Sequence, residues 1–122
     1  MAFPSACAVL GALAGCSSTG GGDDSDPSAD CPSLTSGCPA TPPSWQNEVQ
    51  PLVATYCTPC HGNGDTEQSV FDSTTYRSVY LSRSELGTVI VECSMPPANA
   101  PAPDRAQRQT LLSWVACDAP DN

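Results

Sequence analysis

Eight of the 122 residues are cysteine, and this count constrains the fold more than any other feature of the sequence. Disulfides form and persist in oxidising compartments, so cytosolic proteins rarely hold so many cysteines. The length allows one domain at most. A domain this small buries little apolar surface and is usually stabilised by cross-links, a metal or a cofactor. The sequence therefore predicts a small exported domain.

The charge balance excludes several classes of protein. Four basic residues, all of them Arg, stand against 13 acidic residues, and the formal net charge is −9. A general nucleic-acid binder is excluded because neutralising phosphates requires a basic patch. No apolar run reaches about 18 residues, the length that indicates a membrane-spanning helix. We therefore expect no nucleic-acid partner and no spanning segment.

The first residues have the character of an export signal. Residues 5–14 are small and apolar, and they end in Leu13-Ala14-Gly15-Cys16, which resembles the lipobox of bacterial lipoproteins. The resemblance implies that residues 1–15 are removed and that Cys16 is acylated. The protein would then be anchored by lipid on the periplasmic side of a bacterial membrane, or secreted. No Lys or Arg precedes Cys16, which departs from the usual basic start of such signals. The alternative is a buried N-terminal helix.

Residues 16–43 are rich in Gly, Ser, Asp and Pro, and their one strongly apolar residue is Leu34. Such a segment cannot bury enough surface to offset its chain entropy. We therefore predict a flexible tether, followed by a folded domain over residues 44–122.

Helical periodicity marks the start of this domain. Apolar residues fall on one helical face at positions 45, 49, 52, 53 and 56, with Ser44 as the predicted N-cap. Pro51 predicts a kink or restart, because it removes an amide hydrogen bond. A second helix is predicted near residues 75–81 and a last one over 104–116, which opens with Asp104 and Gln107 as a capping box. The Pro-rich stretch 95–103 predicts an extended loop, and strand signals are weak.

The strongest motif is Cys57-Thr58-Pro59-Cys60-His61. The pattern C-x-x-C-H marks covalent attachment of c-type haem. Two thiols at this spacing can reach the two vinyl groups of one macrocycle, and the adjacent imidazole can bind its iron. His61 is the only His, and Met95 is the only Met besides the first residue. One imidazole and one thioether suit a single haem with His61 and Met95 as axial ligands.

Beyond this motif, residues 45–122 resemble the class I cytochrome c-like domains of exported bacterial proteins. The matching stretches are Trp45 with Glu48 to Leu52, Cys57 to Gly62, Met95-Pro96-Pro97, and Leu111 to Val115 with Ala119-Pro120. The resemblance implies a small all-α fold around one covalent haem c. It makes Cys57 and Cys60 the thioether anchors, His61 the proximal ligand and Met95 the distal ligand.

Four cysteines remain for disulfides: Cys31, Cys38, Cys93 and Cys117. They allow three pairings. We favour Cys31 with Cys38, which closes a small loop in the tether, and Cys93 with Cys117, which would hold the Met95 loop against the last helix.

Three other uses of the motif stay open. Cys57, Cys60 and His61, with Cys93 or Cys117, would supply four zinc ligands. The thiol pair could carry out thiol–disulfide exchange. The domain could also be a disulfide-rich module without a cofactor. The haem interpretation fits the spacing best, because adjacent Cys60 and His61 make tetrahedral closure awkward and no βαβ pattern surrounds the pair.

The expected function is electron transfer between extracytoplasmic redox partners, with no enzymatic activity, because two axial ligands leave the iron no site for substrate. The acidic chain predicts partners with basic docking patches. The alternative function is a haem-based gas sensor or ligand-binding module in which Met95 is displaceable.

Overall fold

The structure, a computed structural model, describes residues 31–62 and 71–122. The predicted signal peptide, Cys16 and residues 16–30 of the predicted tether lie outside these ranges. The described residues form helices and contain no strand, which confirms that their fold is all-α. In chain order they are a π-helical turn (Trp45–Val49), α1 (Gln50–Tyr56), α2 (Thr58–His61), α3 (Tyr76–Leu81), α4 (Arg83–Glu92) and α5 (Arg105–Ala116). In this part of the chain, no helix has the length and apolarity required to traverse a bilayer.

The first helical stretch begins and is interrupted where the sequence predicts. The Ser44 hydroxyl caps it by accepting a hydrogen bond from the Asn47 amide at 3.2 Å. The backbone then winds as a π-helical turn, in which the Val49 amide donates to the Ser44 carbonyl. Pro51 follows in the first turn of α1, where its missing N–H costs least. The restart at Pro51 is therefore confirmed.

Side chains also cap two later helices, and the cap of α5 is the capping box that the sequence predicts. Thr75 caps α3 by accepting a hydrogen bond from the Ser78 amide. Asp104 and Gln107 form a reciprocal capping box at the start of α5, with two hydrogen bonds of 2.9 Å. Each cap provides an acceptor for an amide that has no partner within its helix.

Helix α4 is the element that the sequence pattern did not predict. It contains Gly87 and a β-branched run over residues 88–91, both of which lower helix propensity. Its buried residues Leu86, Gly87 and Ile90 lie against α5. A Cβ on Gly87 would lie only 3.3 Å from the Val115 side chain, so glycine permits this close approach. Tertiary packing therefore outweighs the unfavourable propensity.

An aromatic cluster joins the two ends of the described chain in the core. The Trp45 ring centroid lies 5.4 Å from those of Tyr76 and Trp114, and Trp114 is completely buried. The Trp114 indole N–H donates to the Pro120 carbonyl at 2.9 Å, and the Tyr76 hydroxyl donates to the Ala119 carbonyl at 2.8 Å. The buried apolar residues are Trp45, Val49, Val53, Val79, Leu86, Ile90, Leu111, Trp114 and Ala119.

The four cysteines predicted to form disulfides do form them, but the favoured pairing is wrong. The bridges join Cys31 to Cys93 and Cys38 to Cys117, not Cys31 to Cys38 and Cys93 to Cys117. The physical reason is the position of the 31–38 segment, which runs along the helices and places each thiol beside a helix end. Two disulfides are compatible with an extracytoplasmic protein.

These bridges make residues 31–43 part of the helical unit, although their composition predicts a flexible tether. Leu34 packs against the core, and Pro43 is buried. The Gln109 side chain forms two hydrogen bonds with the Thr35 backbone, at 2.8 and 2.9 Å. The apolar Leu34 and the covalent bonds of Cys31 and Cys38 offset the entropy that the polar composition alone could not.

The two bridges are interleaved along the chain, which reduces the stability that the second bridge adds once the first is closed. The bridges span 62 and 79 residues. With Cys31–Cys93 closed, however, Cys38 reaches Cys117 by a shorter path of roughly 31 residues through the first bridge. In the chain-entropy account this second closure contributes about 3–4 kcal/mol.

A tryptic digest without reduction tests the pairing, because the chain has no Lys and its four Arg lie at positions 77, 83, 105 and 108. Trypsin separates Cys31 and Cys38 from Cys93, and Cys93 from Cys117. Mass spectrometry should find residues up to 77, 84–105 and 109–122 in one three-peptide species.

A two-peptide species of 84–105 with 109–122, lacking the first peptide, would restore the pairing that the sequence favoured. A further cut after leucine residues separates Cys31 from Cys38 at Leu34 and shortens the other two peptides. It should leave Cys31 with the peptide that contains Cys93 and Cys38 with the peptide that contains Cys117.

Candidate functional site

The Cys57–His61 segment lies at the junction of α1 and α2. Val53 is buried in the core, and its carbonyl accepts a hydrogen bond from the Cys57 amide at 2.9 Å. The Cys57 carbonyl in turn accepts a hydrogen bond from the His61 amide at 2.9 Å. Helix α1 therefore contributes a buried apolar residue to the core and is followed directly by the turn that carries both thiols and the imidazole.

A second contact attaches this turn to the chain that precedes α3. The hydroxyls of Thr58 and Ser73 lie 2.9 Å apart, and the Ser73 amide donates to the His61 carbonyl at 3.2 Å. Ser73 is buried. The Phe71 ring meets the His61 ring edge-on at 5.4 Å. The backbone of His61 is thus held from one side by Ser73, and its ring is contacted by Phe71.

Gly62 closes the turn and has no room for a side chain. A Cβ there would overlap the Thr58 methyl group and lie 2.6 Å from the Thr58 carbonyl oxygen. The Gly62 amide also donates to that carbonyl at 2.8 Å. A larger residue would displace the α2 backbone, so glycine is required directly after the imidazole.

The thiols of Cys57 and Cys60 are free, whereas the other four cysteines of the described residues are in disulfides. Cys60 is exposed and Cys57 is half-buried. Burial, with a smaller effect of the neighbouring Cys60, raises the pKa of Cys57 to about 11. Since the thiolate is the species that exchanges with disulfides, a raised pKa disfavours a thiol–disulfide exchange role for the pair.

The imidazole of His61 has an unsatisfied atom. Its Nδ1 is buried and finds no hydrogen-bond partner among the described residues. A buried polar atom without a partner carries a desolvation cost, and native structures contain few of them. Two free thiols and an imidazole with unused bonding capacity are a donor set that fits covalent haem attachment at this turn.

The zinc alternative is wrong. Cys93 and Cys117, its proposed additional ligands, are both in disulfides. In residues 31–62 and 71–122, no three or more His, Cys, Asp or Glu side chains are grouped so that they could hold a metal ion.

Met95 lies in the loop after α4, and its contacts differ from those of His61. Its carbonyl accepts a hydrogen bond from Arg108 of α5 at 3.5 Å, and the residue is 45% exposed. Met95 precedes Pro96 in the Pro-rich stretch, for which the sequence predicts an extended loop; the stretch instead contains a turn, in which the Ala100 amide donates to the Pro97 carbonyl at 2.9 Å. The loop is attached to α5 through its backbone, and Met95 is an exposed residue.

Arg108 is the residue of this region that sequence reasoning missed. It is one of only four cations, yet it is 4% exposed. A signal was available in the helical spacing, because Arg108 lies three residues before the buried Leu111 and so shares its face. A charged residue on an apolar face indicates buried hydrogen-bond acceptors nearby.

A cleft of about 610 Å³ lies elsewhere, between residues 35–39 and α5. Its lining includes Thr35, Cys38, Arg105 and Gln109, and no residue of the Cys57–His61 segment. The cleft is therefore separate from the motif that carries the candidate chemistry.

No protein-family model, curated protein or solved structure matches this chain. The assignment to class I cytochrome c-like domains on a bacterial lipoprotein is therefore corrected. The described residues show two disulfides, Cys31–Cys93 and Cys38–Cys117, and no cluster of metal-ligating side chains. A family assignment requires likeness along the chain, whereas the chemistry of an attachment motif depends on a few residues.

The raised pKa of Cys57 predicts slow alkylation of the haem-free chain. At pH 8 roughly one Cys57 thiol in a thousand is ionised, since the pKa is about 11. In matched Cys57→Ser and Cys60→Ser variants, iodoacetamide should modify the exposed Cys60 much faster than the half-buried Cys57. The rate at Cys57 should keep rising above pH 9. A Cys57 rate that equals the rate at Cys60 and stops rising at pH 9 would contradict the burial argument.

Proposed function

We propose that Cys57, Cys60 and His61 bind one haem c covalently and that the protein carries electrons between extracytoplasmic redox partners. The observation that carries the proposal is the contrast among the cysteines. Four of them are cross-linked, while the two at C-x-x-C-H spacing are free thiols beside a buried imidazole nitrogen without a described partner. This spacing is the pattern of covalent haem attachment.

The attachment chemistry requires reduced thiols, and both thiols of the motif are free. Each thiol would add across one vinyl group: the sulfur bonds to one carbon and the thiol hydrogen goes to the other. The addition is balanced without an oxidant or reductant. A thiol that stays protonated at neutral pH resists disulfide exchange, which protects Cys57 from pairing with other cysteines before attachment.

His61 would be the proximal ligand and Met95 the distal ligand. When bound, the haem supplies one-electron redox chemistry, and a thioether ligand favours the reduced iron. The chain contributes the positions of its ligands: His61 is held by Ser73 and Phe71, and Met95 by Arg108. If His61 and Met95 both bind the iron, no coordination site would remain for a substrate. We therefore propose a carrier and not an enzyme.

The disulfides support the proposed location, and the net charge supports the proposed class of partner. Two disulfides fit an oxidising compartment, and we propose that Cys16 carries a lipid anchor on the periplasmic side of a bacterial membrane. The net charge of −9 favours redox partners with basic docking patches.

Association with such a partner should slow as salt rises, because screening weakens the attraction between the proteins. A rate independent of salt would contradict this steering.

A pyridine haemochrome spectrum of full-length protein from a host competent in cytochrome maturation tests the proposal. The wild-type protein should carry one haem that survives acid–acetone extraction. A Cys57→Ala/Cys60→Ala double variant should carry no covalent haem, because both thioether sites are gone.

The matched control is Cys38→Ser/Cys117→Ser, which also removes two cysteines but leaves the motif intact. It should retain covalent haem, with lower thermal stability from the lost bridge. A colourless wild-type protein from that host would overturn the proposal.

A further inference from the structure

Arg108 is a buried cation that joins α5 to two backbone positions on the preceding segment. One guanidinium nitrogen lies 3.5 Å from both the Ile90 carbonyl and the Met95 carbonyl. The residue is 4% exposed. Burying a guanidinium is costly unless hydrogen-bond acceptors surround it. These two carbonyls are acceptors for the Arg108 side chain.

The two carbonyls lie on either side of the point where α4 ends. The helix stops at Cys93, whose φ of 54° is in the left-handed region. The amides of Cys93 and Ser94 both bond to the Val89 carbonyl. The Ile90 carbonyl, one residue further along the chain, accepts a hydrogen bond from Arg108 instead. Arg108 thus caps α4 from a neighbouring helix and reaches across the helix end to Met95.

The loop that bears Met95 is therefore attached at two points. The Cys31–Cys93 bridge holds it two residues before Met95, and Arg108 holds Met95 itself by its carbonyl. Met95 is 45% exposed, so packing restricts it little. The Cys31–Cys93 bridge and the contact with Arg108 therefore set the position of the Met95 backbone.

We propose that Arg108 is a positioning residue that holds the Met95 backbone so that its sulfur stays bound to the haem iron. This inference rests on the proposed function and deepens it. A planar guanidinium presents several donors in a fixed fork and can serve two carbonyls, whereas a Lys ammonium is a point donor on a flexible stem. The role therefore predicts a graded response to substitution.

The test compares Arg108→Met and Arg108→Lys with Arg105→Met in the haem-loaded full-length protein. Arg105 lies one turn earlier on α5, is exposed, and also donates to a backbone carbonyl, that of Ser33 at 3.4 Å. Met preserves the apolar stem of Arg and removes every donor. Two readouts report the sulfur–iron bond: the long-wavelength absorption band that thioether ligation gives ferric haem, and the rate of carbon monoxide binding to the reduced protein.

We expect Arg108→Met to weaken the band and to bind carbon monoxide about tenfold faster, because a lost charged hydrogen bond shifts the loop equilibrium by about that factor. Arg108→Lys should change both readouts in the same direction by a smaller factor. Arg105→Met should leave both unchanged. If Arg108→Met does not fold, Arg108→Lys decides the test by itself.

Wild-type values in either folded Arg108 variant would overturn the positioning role. Failure of the proposed function has a different signature, because the wild-type protein would then carry no covalent haem. A wild-type protein that carries haem but lacks the thioether band would overturn the Arg108 inference and leave covalent attachment standing.

Discussion

The interleaved disulfides are the constraint on which the rest of the structure depends. A core built from a few apolar residues around Trp114 stabilises a short chain only marginally. The bridges add stability by reducing the entropy of the unfolded chain. They also hold the 31–38 segment against the ends of α4 and α5, so that Leu34 extends the core. One covalent framework thus supports both the termini and the interior of the helical unit.

The same framework separates the cysteines into two chemical groups. The bridging cysteines form structural disulfides, whereas the cysteines at positions 57 and 60 keep free thiols that can react. Helix α1 presents this pair at its end, where burial keeps the Cys57 thiol protonated. An unsatisfied imidazole nitrogen and a glycine that admits no side chain lie in the same turn. Structural stability and candidate reactivity therefore come from different members of one residue type.

The two predicted axial ligands are held by different kinds of contact. His61 belongs to a helical turn and is positioned by Ser73 and Phe71, whereas Met95 belongs to a loop and is held through its backbone. A ligand on a helix has little freedom, and a ligand on a loop has as much as its attachments allow. The buried Arg108 of α5 contacts both the end of α4 and the Met95 carbonyl, and these contacts restrict the movement of the loop.

Local signals determined much of this protein from the sequence alone. Ser44 and the Asp104–Gln107 box mark helix starts because a cap contacts only residues three positions away. The C-x-x-C-H pattern is equally local. Only tertiary structure decided the disulfide pairing, the existence of α4 despite Gly87, and the burial of Arg108. Each of these depends on residues distant in the chain, and their energies come from packing and cross-linking that no short window of sequence contains.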